Sequence, residues 1–270
     1  LATLYDVPAP AKLNLFLHVV GRRADGYHLL QSVFMLIDWC DTLHFELRHD
    51  GAISREDLTA AHLPAEDLVV RAARLLQQAT GCTLGVHVGL EKRLPAEAGM
   101  GGGSSDAATC LLALNRLWGL GLNRAQLAAL GLQLGADVPF FIGGRNAWVE
   151  GVGEQLTPLS LEDARFVVVK PPGGASTQSI FSSPLLKRDT KPAIIQGFAA
   201  NDASEPLKHS IQSILDIGHN DLQPVAQALC PDVGRCINWL QSHGLQGRMS
   251  GSGTAVFAQI RQSLDLSDAH

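Results

Sequence analysis

The sequence has 270 residues, of which 46% are hydrophobic and 17% charged, and this composition predicts a soluble globular protein with about two domains. The net charge is −5 and no basic run exceeds two residues, so neither nucleic acid nor an anionic membrane surface is an expected partner. No apolar run approaches the ~18 residues of a membrane helix, and Lys12 and Asn14 interrupt the first apolar stretch, which argues against a signal peptide.

Cysteine and histidine spacing indicates neither a disulfide framework nor a metal cage. The cysteine count is odd, at five, and no pair has C-x-x-C spacing, so we expect reduced thiols and a cytoplasmic location. The ten histidines show neither H-x-x-x-H nor H-E-x-x-H spacing. We therefore expect no metal held by protein side chains alone.

The first predicted element is a strand over 11–20, where outward and inward positions alternate strictly. Lys12 and Asn14 share one face at its start, directly after the rigid segment Pro8-Ala9-Pro10. A lone lysine at a strand edge is most often merely solvated. This lysine is a candidate functional residue because an asparagine lies beside it on the same face.

An Asp25-Gly26 turn signal follows the first strand, with Tyr27 and His28 next to it. An aromatic ring and a ring N–H at a turn are able to stack on a planar ligand and hydrogen-bond it. A lone Tyr-His pair is more often ordinary turn packing, so this pair needs support from elsewhere in the chain.

The next elements have clear periodic signals. We predict a strand over 42–48, a helix over 68–79 that ends at Gly81, and a strand over 85–90. Asn123 and Gln126 have capping-box spacing at the start of a helix that ends at Gly135. A short strand over 146–149 and a glycine turn over 150–154 come after it.

A glycine-rich segment from Pro95 to Ala108 is the strongest functional signal. It contains Gly99, Met100, Gly101, Gly102, Gly103, Ser104 and Ser105, and a helical pattern begins at Ala107. A glycine turn that runs into a helix N-terminus binds anions, and serine hydroxyls there cap the helix, bind phosphate or bind Mg²⁺. The segment lacks the lysine of Walker A and the third glycine of G-x-G-x-x-G, and a flexible linker is disfavoured because apolar segments flank it.

Asp137 lies in the turn Gly135-Ala136-Asp137-Val138-Pro139, just before the apolar run Phe140-Phe141-Ile142. A capping or turn aspartate is the commoner role for such a residue. The functional interpretation is a carboxylate at a partly dry site beside the phosphate segment, available as a general base.

The composition changes near Thr157-Pro158, which predicts domains over 1–157 and 158–270. The second contains a predicted strand over 166–169, a polar loop over 173–177 whose Thr177 is a candidate substrate contact, helices over 223–229 and 232–243, and a strand over 254–260. The Ser250–Gly253 turn either shapes a nucleotide pocket or is a plain hairpin turn, and we favour the turn. Residues 182–210 have no clear signal.

Three segments together resemble the GHMP kinase superfamily of galacto-, homoserine, mevalonate and phosphomevalonate kinases. They are Pro10-Ala11-Lys12-Leu13-Asn14-Leu15, the segment from Pro95 to Ala108, and the segment from Met249 to Phe257. Two more, from Arg23 to His28 and from Leu134 to Phe141, resemble one member of the family, whose acceptor carries a cytidyl group. The five occur in order and extend over almost the whole chain.

The resemblance implies an α+β fold of two domains, the N-terminal one like the second domain of ribosomal protein S5 and the C-terminal one ferredoxin-like, with the active site in the cleft between them. It implies ATP-dependent phosphorylation of an acceptor hydroxyl, with ATP and Mg²⁺ as cofactors. The partner is a small molecule, and we expect a monomer or a weak homodimer.

The resemblance also assigns expected roles to single residues. Asp137 matches the catalytic aspartate and Lys12 the catalytic lysine. Tyr27 and His28 match the pair that recognises cytosine, and Asn14 matches a polar residue on the substrate side. Pro95 to Ser105 match the ATP phosphate loop, and which of Ser104, Ser105 and Glu150 contacts Mg²⁺ stays open.

Two departures and three alternatives accompany the resemblance. The chain continues for less than the family usually does beyond Ile260, and Gly173-Gly174-Ala175 are smaller than expected in their loop. If the chain were another GHMP small-molecule kinase, such as a mevalonate or homoserine kinase, its acceptor would have no base to stack on Tyr27 and His28. A non-catalytic nucleotide sensor would not need both Lys12 and Asp137, and a dinucleotide oxidoreductase would need the third glycine.

Overall fold

The computed structural model describes residues 2–60, 63–194 and 208–261. Nine strands and eight helices occur among them. The strands are β1 Thr3–Arg22, β2 His28–Arg48, β3 Ile53–Asp57, β4 Gly85–Glu91, β5 Ala147–Glu150, β6 Gln155–Pro158, β7 Arg165–Val169, β8 Arg248–Met249 and β9 Val256–Ile260. The helices are α1 Leu68–Thr80, α2 Gly102–Leu117, α3 Arg124–Leu132, α4 Val138–Gly143, α5 Thr177–Ser182, α6 Ile211–Ile217, α7 Gln223–Leu229 and α8 Pro231–Ser242. None of these helices is both long and apolar enough to span a membrane.

The chain forms two compact units. The first contains Leu1–Lys12, Phe34–Ala96 and Gly101–Pro158, and the second contains Leu13–Val33, Glu97–Met100 and Leu159–His270. The predicted domain boundary between 157 and 158 stays a prediction. Part of the segment 182–210, namely 195–207, lies outside the described residues.

The larger sheet has the strand order β3-β4-β2-β5-β6, and β1 also pairs with β2. β4 runs antiparallel to β2 and parallel to β3, while β5 and β6 form an antiparallel hairpin. In the first unit, the core is built from one face of this sheet and the helices around α2, which packs against α1, α3 and α4. Because α2 is packed among these helices, the glycine residues at the N-terminus of α2 are held in place.

Local capping explains why two predicted helices are confirmed. The Asp67 carboxylate accepts a hydrogen bond from the Val70 backbone N–H at the start of α1, and Gly81 ends the helix in the left-handed region at φ 66°. Asn123 and Gln126 form the predicted capping box of α3, although this helix ends at Leu132 and not at the predicted Gly135. Each signal lies within three or four residues, so the sequence alone contains it.

The predicted start of α2 at Ala107 is wrong, because the helix begins at Gly102. Gly101 occupies the N-cap position with φ 72°, and no side chain caps the helix, which excludes capping among the three roles considered for Ser104 and Ser105. Ser104 and Ser105 instead lie inside the helix, in its first turn. Glycine has a poor helix propensity, which hid this first turn from the sequence pattern.

The two long strands extend well beyond the predicted ranges. β1 covers 20 residues rather than the ten of 11–20, and β2 begins at His28 rather than at 42. Residues 31–35 of β2 are all buried, so the period-two alternation of a half-exposed strand is absent there. The alternating end of β2, from 42 to 48, was the part that the pattern could detect.

The second unit contains a three-stranded antiparallel sheet of order β7-β9-β8, with its own apolar core. α7 has the predicted bounds, and α8 begins one residue before the predicted range and ends one residue before its end. β9 begins at Val256 rather than at 254, because the backbone N–H groups of Thr254 and Ala255 donate to the carbonyls of Glu97 and Ala98.

Candidate active site

Lys12 and Asp137 come together in the first unit. The Lys12 ammonium lies 3.6 Å from Asp137 Oδ2 and 4.5 Å from the centre of the Phe34 ring. The Lys12 side chain is 4% exposed, whereas Asp137 is 32% exposed. Burial lowers the pKa of Lys12, and the Asp137 carboxylate opposes this shift only in part. The pair is thus a buried cation beside an accessible carboxylate.

Both residues lie beside the start of α2. A Cβ atom at Gly101 would lie 2.8 Å from the Phe141 ring and 3.4 Å from Lys12 Cε, so only glycine fits beside the lysine stem. Ser104 Oγ approaches the Gly135 backbone, two residues before Asp137, since a Cβ there would be 3.7 Å from it. The unpaired N–H groups of the first helical turn therefore lie in the same part of this unit as the cation and the carboxylate.

The other predicted phosphate-binding residues differ in exposure. Gly103 is exposed, Pro95, Gly99, Gly101, Gly102 and Ser104 are half-buried, and Met100 and Ser105 are buried. The backbone is left-handed at Glu97, Gly99 and Gly101, with φ of 53°, 72° and 72°. Such alternation turns successive backbone groups toward a common side and is typical of anion-binding loops.

In the second unit, the middle of the glycine segment packs on the Ser250–Gly253 turn. A Cβ atom on Gly253 would overlap the backbone of Ala98 and Gly99, so the two backbones are in direct contact. The Ser250 hydroxyl donates to the Gly99 carbonyl (3.0 Å) and accepts from the Asn14 backbone N–H (3.1 Å). The segment connects the antiparallel strands β8 and β9, so the expectation of a hairpin turn is confirmed, and the turn also supports the glycine segment.

Asn14 and Asn220 are buried polar residues around this turn. The Asn14 amide donates to the Ser32 hydroxyl at 3.1 Å. The Asn220 amide donates to the carbonyls of Met249 and Gly251, both at 2.8 Å. Asn220 was not among the predicted site residues, and its only sequence signal was its position ahead of a helix.

His28 is held by residues that the sequence did not single out. Arg188 Nε donates to His28 Nε2 at 3.0 Å, and the Phe181 ring lies 4.9 Å from the imidazole. Because arginine only donates, His28 Nε2 accepts and the proton of the neutral ring is on Nδ1. Burial first, and then the positive charge of Arg188, lower the pKa of His28. Tyr27 beside it is 64% exposed.

Thr177 is exposed at the first position of α5 rather than in a loop, and Ser176 caps this helix. The Thr177 hydroxyl lies 2.7 Å from the Ser252 hydroxyl, which connects α5 to the glycine turn. In the described ranges, no three His, Cys, Asp or Glu side chains come together in an arrangement suited to a metal ion.

Comparison with known proteins identifies the family. A model of the GHMP kinases N terminal domain matches residues 67–145, and a model of the GHMP kinases C terminal domain matches residues 200–265. The chain belongs to the GHMP kinase family. Enzymes of this family use ATP as a substrate to phosphorylate small molecules, so the predicted fold class, family and phosphoryl donor are confirmed.

Individual proteins of the family are similar to this chain to different degrees. A 4-diphosphocytidyl-2-C-methyl-D-erythritol kinase from a Polaromonas species is 65% identical over 277 residues, which cover 99% of this chain and 87% of the relative. A crystal structure of 4-(cytidine 5'-diphospho)-2C-methyl-D-erythritol kinase has a TM-score of 0.76 at 34% identity, over 94% of this chain and 89% of that one. A homoserine kinase from Cytophaga hutchinsonii, at 16% identity and TM-score 0.66 over 96% of this chain and 84% of that one, shares the fold.

Proposed function

We propose that this chain transfers the γ-phosphoryl group of ATP to the 2-hydroxyl of 4-diphosphocytidyl-2-C-methyl-D-erythritol, a step of the non-mevalonate isoprenoid pathway. The observation that carries the proposal is the 65% identity to a kinase named for this acceptor, over 99% of the chain. The aligned region includes both family domains and all five segments of the resemblance.

In this proposal, Asp137 is the general base. An alcohol is a weak nucleophile near neutral pH, so a base has to take the hydroxyl proton as the oxygen attacks the γ-phosphorus. The Asp137 side chain is 32% exposed, so its carboxylate is accessible to an acceptor. The Lys12 ammonium, 3.6 Å away, orients the carboxylate and stabilises negative charge that develops on the transferring group.

The ATP phosphates bind along the glycine segment in this proposal, from Pro95 to Ser105. Support comes from the left-handed backbone at Gly99 and Gly101 and from the open first turn of α2. Mg²⁺ is the metal that neutralises ATP phosphates in kinases, and Ser104, Ser105 or Glu150 would contact it. The phosphates supply most of the ligands of such a metal.

The acceptor's cytosine base is recognised at Tyr27 and His28. The Arg188 hydrogen bond leaves His28 with a proton on Nδ1, so His28 donates to an acceptor atom of the base. The exposed Tyr27 ring provides a surface for stacking. Asn14 and Thr177 complete the set of substrate-side residues that we propose.

The test is release of ADP with Mg–ATP and three acceptors offered separately: the cytidyl methylerythritol compound, mevalonate and homoserine. Turnover with the first alone supports the proposal. Turnover with mevalonate or homoserine keeps the family and refutes the acceptor. ATP binding without turnover on any acceptor would favour the nucleotide sensor instead.

We also propose a cytoplasmic enzyme that is a monomer or a weak homodimer. All five cysteines are free thiols, which suits a reducing compartment. Analytical ultracentrifugation over a range of micromolar concentrations tests the oligomeric state, and a tight dimer at the lowest concentration would refute it.

A further inference from the structure

A buried ion cluster lies beside the glycine segment in the first unit. Lys92 directly follows β4, and its ammonium donates to Asp106 Oδ2 at 2.8 Å and to Asp41 Oδ2. The side chains of Lys92, Asp41 and Asp106 are 13%, 0% and 3% exposed. One cation is therefore shared by two carboxylates away from water.

The two carboxylates lie at opposite ends of residues 95–101, the glycine-rich part of the segment that precedes α2. Asp41 Oδ1 accepts the backbone N–H groups of Arg93 (2.5 Å) and Leu94 (2.8 Å), which holds the chain as it enters the segment. Asp106 lies in α2, which begins at Gly102, directly after residues 95–101 of the segment. A Cβ atom on Gly102 would lie 3.4 Å from Lys92 Nζ, so the ammonium also contacts the first residue of this helix.

We infer that Lys92 is a positioning residue for ATP binding, which fixes the two ends of the 95–101 segment relative to each other through Asp41 and Asp106. This inference rests on the proposed function, because it takes the segment to be the ATP phosphate loop. Lys92 acts through the backbone that it holds and is not a group that contacts the reacting atoms.

The expected size of the effect follows from preorganisation. A loop whose ends are held needs little further ordering when its ligand binds. When the shared hydrogen bonds are lost, ATP binding has to order the segment as well. Hydrogen bonds to charged groups change equilibria by about 10- to 100-fold, so the Kd for ATP should rise by about that factor.

The test compares five variants of the full chain by calorimetric titration with a non-hydrolysable ATP analogue and with the cytidyl acceptor. Lys92→Met and Asp106→Ala each remove the connection, and the double variant should lose no more than either single one, because both remove the same contact. Asp106→Asn keeps an oxygen acceptor for the ammonium and should bind the analogue like the unmodified chain. Arg74→Met, which removes the exposed pair with Glu66, is the matched control.

Hydrogen–deuterium exchange of the backbone amides from 96 to 105, measured without ligand, tests whether the cluster orders the segment before ATP binds. Faster exchange in Asp106→Ala and Lys92→Met, with analogue affinity reduced and acceptor affinity within twofold of the unmodified chain, supports the inference. Unchanged exchange and affinity, or an equal loss for both ligands, overturns it while leaving the proposed function intact. If the unmodified chain binds no analogue, the proposed function fails. If Lys92→Met does not fold, the contrast between Asp106→Ala and Asp106→Asn decides alone.

Discussion

Replacement of Asp106 by Asn should make the first unit's stability less dependent on pH. Asp106 shares Lys92 with Asp41, so the cluster carries one more negative than positive charge when both carboxylates are ionised. Burial raises the pKa of Asp106 to about 7 from its ordinary value of 3.8, with Asp41 adding to the shift and Lys92 opposing it. Cys110, one turn further along α2, is itself buried and neutral, since burial raises its pKa.

The direction of this pH dependence follows from the number of protons that the folded and unfolded chains bind. Between about pH 4 and pH 7 the folded chain holds a proton on Asp106 that the unfolded chain has released, so stability falls as the pH rises through this window. About two pH units of the window lie above pH 5, and over each of them the unfolding free energy of the parent falls by about 1.4 kcal/mol. The unfolding free energy of Asp106→Asn, minus that of the parent, should therefore rise by about 3 kcal/mol between pH 5 and pH 8.

Urea unfolding followed by tryptophan fluorescence measures this difference. A Trp239→Phe background places all remaining tryptophans, at 39, 118 and 148, in the first unit. Asp38→Asn, at an exposed position of β2, is the matched control and should keep the parent's pH dependence. A difference for Asp106→Asn that stays constant from pH 5 to pH 8 would refute the raised pKa of Asp106.

Three further predictions concern the proposed site. Lys12→Met and Asp137→Asn should each lower kcat by about 10²- to 10⁴-fold with ATP Kd little changed, and near-normal turnover would contradict their roles. Arg188→Met should raise KM for the cytidyl acceptor and not for ATP, and Arg188→Lys should restore part of the acceptor affinity. Equal KM values for the acceptor in the parent and in both variants would exclude the role of Arg188 in orienting His28. Gly253→Ala should raise KM for ATP because its methyl group displaces the glycine segment, whereas Gly143→Ala, which meets no atom within 4 Å, should not.

Sequence patterns predicted those elements whose signals are local. Asp67 and Gly81 bound α1 because a cap needs only neighbours three or four residues away. The same reasoning misplaced the start of α2, since glycine disfavours a helix when it is considered alone. In the folded chain, the small size of Gly101 is needed, because the Phe141 ring packs against it. Tertiary contact therefore decided what local propensity could not.

The residues of the candidate site also divide into those that a local sequence signal revealed and those that only the fold brings together. Gly99, Gly101 and the serines after them were found because their chemistry is visible in one short run. Lys12 and Asp137 were candidates from their local settings, and the family resemblance assigned their catalytic roles. Their roles stay predictions, but the distance of 3.6 Å between that pair is a property of the fold.

The residues that hold those groups in place left no comparable run in the sequence. Arg188 is 160 residues from His28, and Asp41 is 51 residues from Lys92. What the sequence does contain is a charge in an apolar setting, such as Asp106 directly before Ala107 and Ala108 in a buried helix. Because a buried carboxylate requires a cation or a proton, each such position predicts an unseen partner even where the sequence cannot say which residue it is. Applied to Asp106, this rule points to both features that the structure has, the ammonium of Lys92 and a pKa raised to about 7.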